Sequence, residues 1–250
     1  MTEHIPSPPG YGRILPLDKQ RHSGRHLPPK RDYAWCSGLN AVPVQAQEMA
    51  KAALSHPIAF VKAEGTGSFT PVVVLGLREG SNLSVLADGR WREGAYIPAF
   101  IRCHPFCVVR AQLADGTTRG VICVDESRLD TGAPALFGDD GQPTTAWQPV
   151  QALLDAADAA VPQTEAFTER LARLGLMESF EAIVMPRNGE QLRLKGLWRI
   201  SEERLSTLPA SELRSMIKQG DLRAAFAHLL SLEHFARLMV ATATADLANT

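Results

Sequence analysis

Residues 96–126 read YIPAFIRCHPFCVVRAQLADGTTRGVICVDE, and the way this stretch divides decides the fold. Its second half places two β-type runs on either side of Asp115-Gly116, a pair that closes tight turns because glycine tolerates a positive φ. FCVVRAQL and TRGVICVDE are therefore predicted to form an antiparallel hairpin over roughly residues 106–126. The first half reads as a short helical turn between Pro98 and Pro105, with Ile97, Phe100 and Ile101 as its apolar face. Cys103 then ends the turn, and Cys107 already lies on the strand. With a two-residue turn, Cys107 pairs opposite Val124 and Cys123 opposite Val108, so the sulfurs face opposite sides; a slip of one residue would reverse this.

Upstream, HPIAFVKA, PVVVLGL and NLSVLA are short β-type runs, with GTGS at 65–68 read as a hairpin loop and ADGR at 87–90 as a tight turn. Residues 1–35 carry Pro6, Pro8, Pro9, Pro16, Pro28 and Pro29 among six basic side chains, which excludes a long helix and predicts an arm or wrapping strand. Downstream, GAPALFGDDGQPTTAWQP is a connection rich in Gly, Pro and Asp. Beyond it VQALLDAADAAV and TEAFTERLARLGLM have helical spacing, with Gly175 placed to end the second. FEAIVMPRNGEQLRLKGLWRI reads as a small hairpin turning at Asn188-Gly189. The last helices present Leu213, Met216 and Ile217, then Leu222, Phe226 and Leu229, as apolar faces, which leaves His228 toward solvent and His234 without an evident partner.

The expected class is α+β: a mainly antiparallel sheet in the N-terminal and middle parts, with helices and a small hairpin in the C-terminal third. The expected division is a proline-rich arm (1–35), a β-rich region (36–145) and a helical region (146–250) that forms one compact unit with the β-rich part.

Composition limits function. With 26 basic and 27 acidic residues the formal net charge is −1, so no global field draws the chain to nucleic acid or an anionic membrane. No apolar run suits a signal peptide or a membrane span, which makes the cytoplasm the expected location. Cys36, Cys103, Cys107 and Cys123 are too few for a disulfide framework and read as thiols.

The tight cluster Cys103, His104, Cys107 invites a metal or redox reading, but structural zinc sites usually join two ligand pairs such as C-x2-C, and here the spacing is C-x3-C. No histidine begins a His-x-Asp or His-x-Glu triplet, and HExxH, G-x-S-x-G and phosphate-loop patterns are absent. Asp125 and Glu126 could serve as paired acids, yet adjacent strand residues point to opposite faces. No motif calls for a cofactor. Aromatic residues beside turns, together with a cation, leave Trp91, Tyr96 and Arg102 as candidate binding residues, with Asp125 nearby in the hairpin.

Several stretches together resemble the SapC family of bacterial proteins: YGRILPLDKQRH, GLNAVPV, HPIAFVKA, PVVVLGLREGSNLSVLADGRWREGAYIPAFIRCHPF and GLWRISEERLSTLPASELRSMIKQGDLRAAFAHLLSL. The resemblance implies a link to surface-layer or cell-envelope loci, with no assigned enzymatic activity. Its members tend to be encoded near outer-membrane receptors and cupin-like or halogenase-like enzymes, which implies a shared pathway. Where the family pattern reads Arg-Arg-Tyr-Pro-Phe, this chain has Cys103 and His104 at the basic and aromatic positions.

The expectation is a non-enzymatic accessory or binding protein acting on a peptide or protein partner. Two alternatives stay open. One is an enzyme or cofactor-dependent oxidation partner with a pocket near His104, Cys107 and Asp125; the other is nucleic-acid binding through the basic arm.

Overall fold

The structure, a computed structural model, describes residues 5–27, 32–112, 118–130, 135–184 and 192–248. In chain order its first elements are β1 (Ile14–Pro16), β2 (Ala41–Pro43), α1 (Met49–Ala52), β3 (Ile58–Lys62), β4 (Phe69–Val74) and α2 (Ala99–Cys103). There follow β5 (Phe106–Gln112), β6 (Thr118–Asp125), α3 (Gln148–Arg173), β7 (Met177–Val184) and β8 (Leu192–Ile200). The chain ends in α4 (Glu202–Ser206), α5 (Ala210–Gln219), α6 (Asp221–Ser231) and α7 (His234–Ala248). Two antiparallel sheets and C-terminal helices make this an α+β protein. The chain forms two interleaved compact units, residues 1–35 with 99–159 and residues 36–98 with 160–250.

In the first unit, part of the proline-rich arm wraps as β1 onto β6, giving a sheet of order β1-β6-β5. The helical turn between Pro98 and Pro105 forms as α2, and the 106–126 hairpin forms as β5 and β6. Its register differs from the two-residue-turn expectation. Gln112 pairs with Thr118, leaving five residues between the strands, so Cys107 lies opposite Cys123 and both side chains share a face. The reason is on the other face: this register sets Phe106 opposite Val124 and Val108 opposite Ile122, so the apolar residues meet in pairs. They pack with Trp147, Leu136 and Leu154 in one core cluster. The Asp115-Gly116 turn itself lies outside the described residues, as does Asn188-Gly189.

In the second unit, HPIAFVKA and PVVVLGL form β3 and β4 on either side of GTGS, as expected, within a sheet of order β2-β4-β3-β8-β7. β7 and β8 are thus part of this larger sheet. β3 is its central strand, and Ile58, Ala59 and Phe60 are wholly buried, which explains why that run is apolar without alternation. NLSVLA does not form a strand. The Asn82 amide donates to the Cys36 carbonyl (3.0 Å) and its oxygen accepts from Ser84 N–H (2.9 Å), so a side-chain-bonded turn replaces the ladder. VQALLDAADAAV and TEAFTERLAR form one helix, α3, which continues through Pro162. Gly175, at φ +66°, follows its end.

α6 is rotated from the expected face. It buries Ala224, Ala225, Ala227, His228 and Ser231, while Phe226 is left 47% exposed. Small side chains let the helix approach the sheet closely enough for the Ser231 hydroxyl to accept from Ile58 N–H (2.9 Å) and His228 Nε2 from Ile200 N–H (3.1 Å). His228 is therefore fully buried, contrary to the solvent position its spacing suggested, and His234 finds a partner in the Ala53 carbonyl (2.9 Å). A helix face chosen by side-chain size is overruled here by two strand N–H groups that require acceptors.

Burial lowers the pKa of His56 to about 4 and of His228 to about 3, although each makes one backbone hydrogen bond. In the unfolded chain both bind a proton near pH 6.5, so the unfolded state holds more protons as the pH falls below that value and folding stability declines. Each histidine contributes a slope of about 1.4 kcal/mol per pH unit between the two pKa values. Urea unfolding is expected to show stability falling steadily from pH 6.5 to 4.5; a flat profile over that window contradicts the assignment.

Candidate functional site

The site is built on the short corner between α2 and β5, where His104 precedes Pro105 across a cis peptide bond. Trp35 stacks on the His104 ring at 3.8 Å between centroids and an interplanar angle of 10°. Tyr11 meets both rings edge-on, at 5.4 Å from Trp35 and 5.0 Å from His104. Its hydroxyl donates to the Phe106 carbonyl (3.0 Å), so the first residue of β5 fixes the cluster. Asp32 accepts from Ala34 N–H (2.8 Å), an Asx turn that leads into the 3-10 turn Ala34–Cys36 carrying Trp35.

Beside this stack lies a cavity of about 570 Å³. Leu27, Ile101 and Val150 form an apolar wall, Tyr33 and Trp35 an aromatic one, and Arg102, Arg128 and Asp32 supply its charges. That size falls within the roughly 300–1,000 Å³ usual for ligand pockets, as does the mixture of an apolar lining with a few polar groups. Burial holds the His104 pKa down to about 4, with the nearby Arg128 acting in the same direction, so the imidazole is neutral at physiological pH. Its Nε2 is buried without a hydrogen-bond partner. Among the described residues Arg128 enters no ion pair, whereas Arg21 and His22 both engage Glu126. A hollow of about 660 Å³ in the second unit is larger, but its Arg170 is held by Asp221 through two hydrogen bonds of 2.6 and 2.7 Å.

Of the residues singled out from sequence, Arg102 lines this cavity, as does His104. Asp125 is 1% exposed and bonded on both oxygens: Gly12 N–H donates to Oδ2 (2.7 Å), and the Ser127 hydroxyl (2.6 Å) and N–H (3.1 Å) donate to Oδ1. A Cβ at Gly12 would stand 2.8 Å from Asp125 Oδ2, so the close approach of the arm needs glycine there. Trp91 and Tyr96 belong to the second unit, where His56 joins them. The His56 ring lies edge-on to Trp91 at 6.1 Å, and its Nε2–H donates to the Tyr96 carbonyl (2.7 Å). The Tyr96 hydroxyl donates to Glu48 (2.6 Å), and Trp91 is 8% exposed.

Sequence reading passed over Trp35, Tyr33 and Arg128. The available signal was DYAW at 32–35, two aromatics closing an arm otherwise rich in proline and charge. Burial pushes the Cys107 thiol up to about 12, with Cys123 and Cys103 adding to the effect, and burial raises Cys123 as well. Among the described residues, no group of three or more His, Cys, Asp and Glu side chains is placed to hold a metal ion. No described helix is long and apolar enough to cross a membrane.

A family model described as SapC matches residues 17–238, nearly the whole chain. The chain belongs to the SapC family. No curated protein and no solved structure matches it. In this SapC chain the family match therefore covers the corner, the stack and every residue that lines the cavity.

Two outcomes follow from this geometry. Asp125→Ala leaves the N–H groups of Gly12 and Ser127 without their acceptor and should cost about 2–4 kcal/mol in urea unfolding. An effect below a few tenths of a kcal/mol would mean those bonds do not hold the arm. Thiol titration with an aromatic disulfide reagent at pH 8 should find Cys107 and Cys123 slow in the native protein and fast after denaturation; rapid native reaction contradicts the raised thiols.

Proposed function

We propose that this SapC-family protein is a non-enzymatic binding or accessory protein whose cavity beside Trp35 and His104 takes a segment of a peptide or protein partner. The observation that carries the reading is the composition of the cavity wall: aromatic, apolar and arginine side chains converge on it, the mixture that dominates recognition surfaces. Among the described residues the lining holds no serine, threonine, cysteine or lysine to act as a nucleophile, and its imidazole is neutral and stacked. Those features favour binding over turnover. Arg102 keeps the role expected of it from sequence, with Arg128 and Trp35 joining it. The surface-layer link that the SapC resemblance implies suits a place in a cell-envelope pathway, and in this reading the protein acts in the cytoplasm.

A peptide-display library panned against the full chain tests this. Enriched peptides should bind wild-type protein and lose at least about tenfold in affinity with Trp35→Ala, since a stacked aromatic anchor is commonly worth that much. Failure to enrich any peptide, or binders indifferent to Trp35→Ala and to Arg102→Gln, overturns the proposal.

A further inference from the structure

We infer that the cavity recognises an apolar carboxylate, with the acid group held by Arg128 and the attached side chain lying along Trp35 and the wall of Leu27, Ile101 and Val150. Three observations point the same way. Among the described lining residues two guanidinium groups stand against one carboxylate, and that carboxylate, Asp32, already accepts the Ala34 N–H. Among the described residues Arg128 enters no ion pair, and it stands near enough to His104 to act on that ring electrostatically. His104 is held neutral by burial, so the stack offers an incoming side chain an uncharged aromatic face.

An ammonium ligand would meet the wrong sign of charge. Free inorganic phosphate would satisfy Arg128 but leave the apolar wall wet, whereas a carboxylate joined to an apolar body uses both. Guanidinium groups suit this role because their planar donor fork matches the two carboxylate oxygens.

The same chemistry comes from two sources: the C-terminus of a peptide, and a free small acid. The inference rests on the binding reading above only for the choice between them. Four probes separate the possibilities by calorimetry against the full chain: N-acetyl-phenylalanine, its amide, a tetrapeptide ending in phenylalanine with a free carboxylate, and the same tetrapeptide amidated.

The acids should bind at least about tenfold tighter than the amides, because a charge-assisted bond is lost on amidation. The difference should shrink with added salt and disappear in Arg128→Gln, a replacement at an exposed position that should leave the unfolding midpoint unchanged. If the tetrapeptide acid is also tighter than the single residue, the peptide source is supported with it. A single acid that binds as tightly as the peptide supports the carboxylate site and overturns the peptide partner. Peptides that bind equally with and without amidation overturn the carboxylate site and leave the partner reading intact. Absence of binding by all four overturns both, and an acid preference that survives Arg128→Gln overturns the role of that residue.

Discussion

Phe106 opposite Val124 is the contact on which the first unit depends. The two side chains share a face with Val108 and Ile122, and the Phe106 ring meets Trp147 edge-on at 4.7 Å. Burying each large apolar side chain is worth about 1.5–3 kcal/mol, so a register that split these pairs between faces would lose several such terms at once. Everything nearby follows from that choice. Cys107 and Cys123 are sent to the opposite face, Asp125 reaches Gly12 in the arm, and His104 stands at the start of β5 where Trp35 can cover it.

The second unit is governed by a different constraint. Its central strand β3 is buried on both faces over Ile58–Phe60, so its neighbours must satisfy that part with small and polar groups as well as apolar ones. Ser231 and His228 on α6 do this by accepting strand N–H groups, and alanines at 224, 225 and 227 give them the room to approach. The cost is an exposed Phe226 and a histidine kept neutral far below its ordinary pKa. Polar satisfaction therefore sets the rotation of a helix whose apolar pattern pointed elsewhere.

The candidate site is local in its parts and long-range in its assembly. Trp35 and His104 lie 69 positions apart by their numbering, and Tyr11 is drawn from the far end of the arm, yet the three rings form one cluster. Arg128 comes from the turn after β6 and Arg102 from α2. Each residue alone is unremarkable in sequence. Their convergence is what gives the cavity a sign of charge and an aromatic wall.

The class and most of the elements are legible in the local pattern of residues: the α2 corner between prolines, the hairpin after it, the wrapping of the arm, the β3 and β4 strands and the helical C-terminal part. These depend on backbone rules and apolar periodicity, which act over a few residues. The sequence also carried the family membership. Tertiary structure alone decided the Cys107–Cys123 register, the turn at Asn82, the burial of His228 and the meeting of Trp35 with His104. Those outcomes are set by which distant group supplies a missing hydrogen-bond partner or a matching apolar face, and spacing along one chain does not encode that distance.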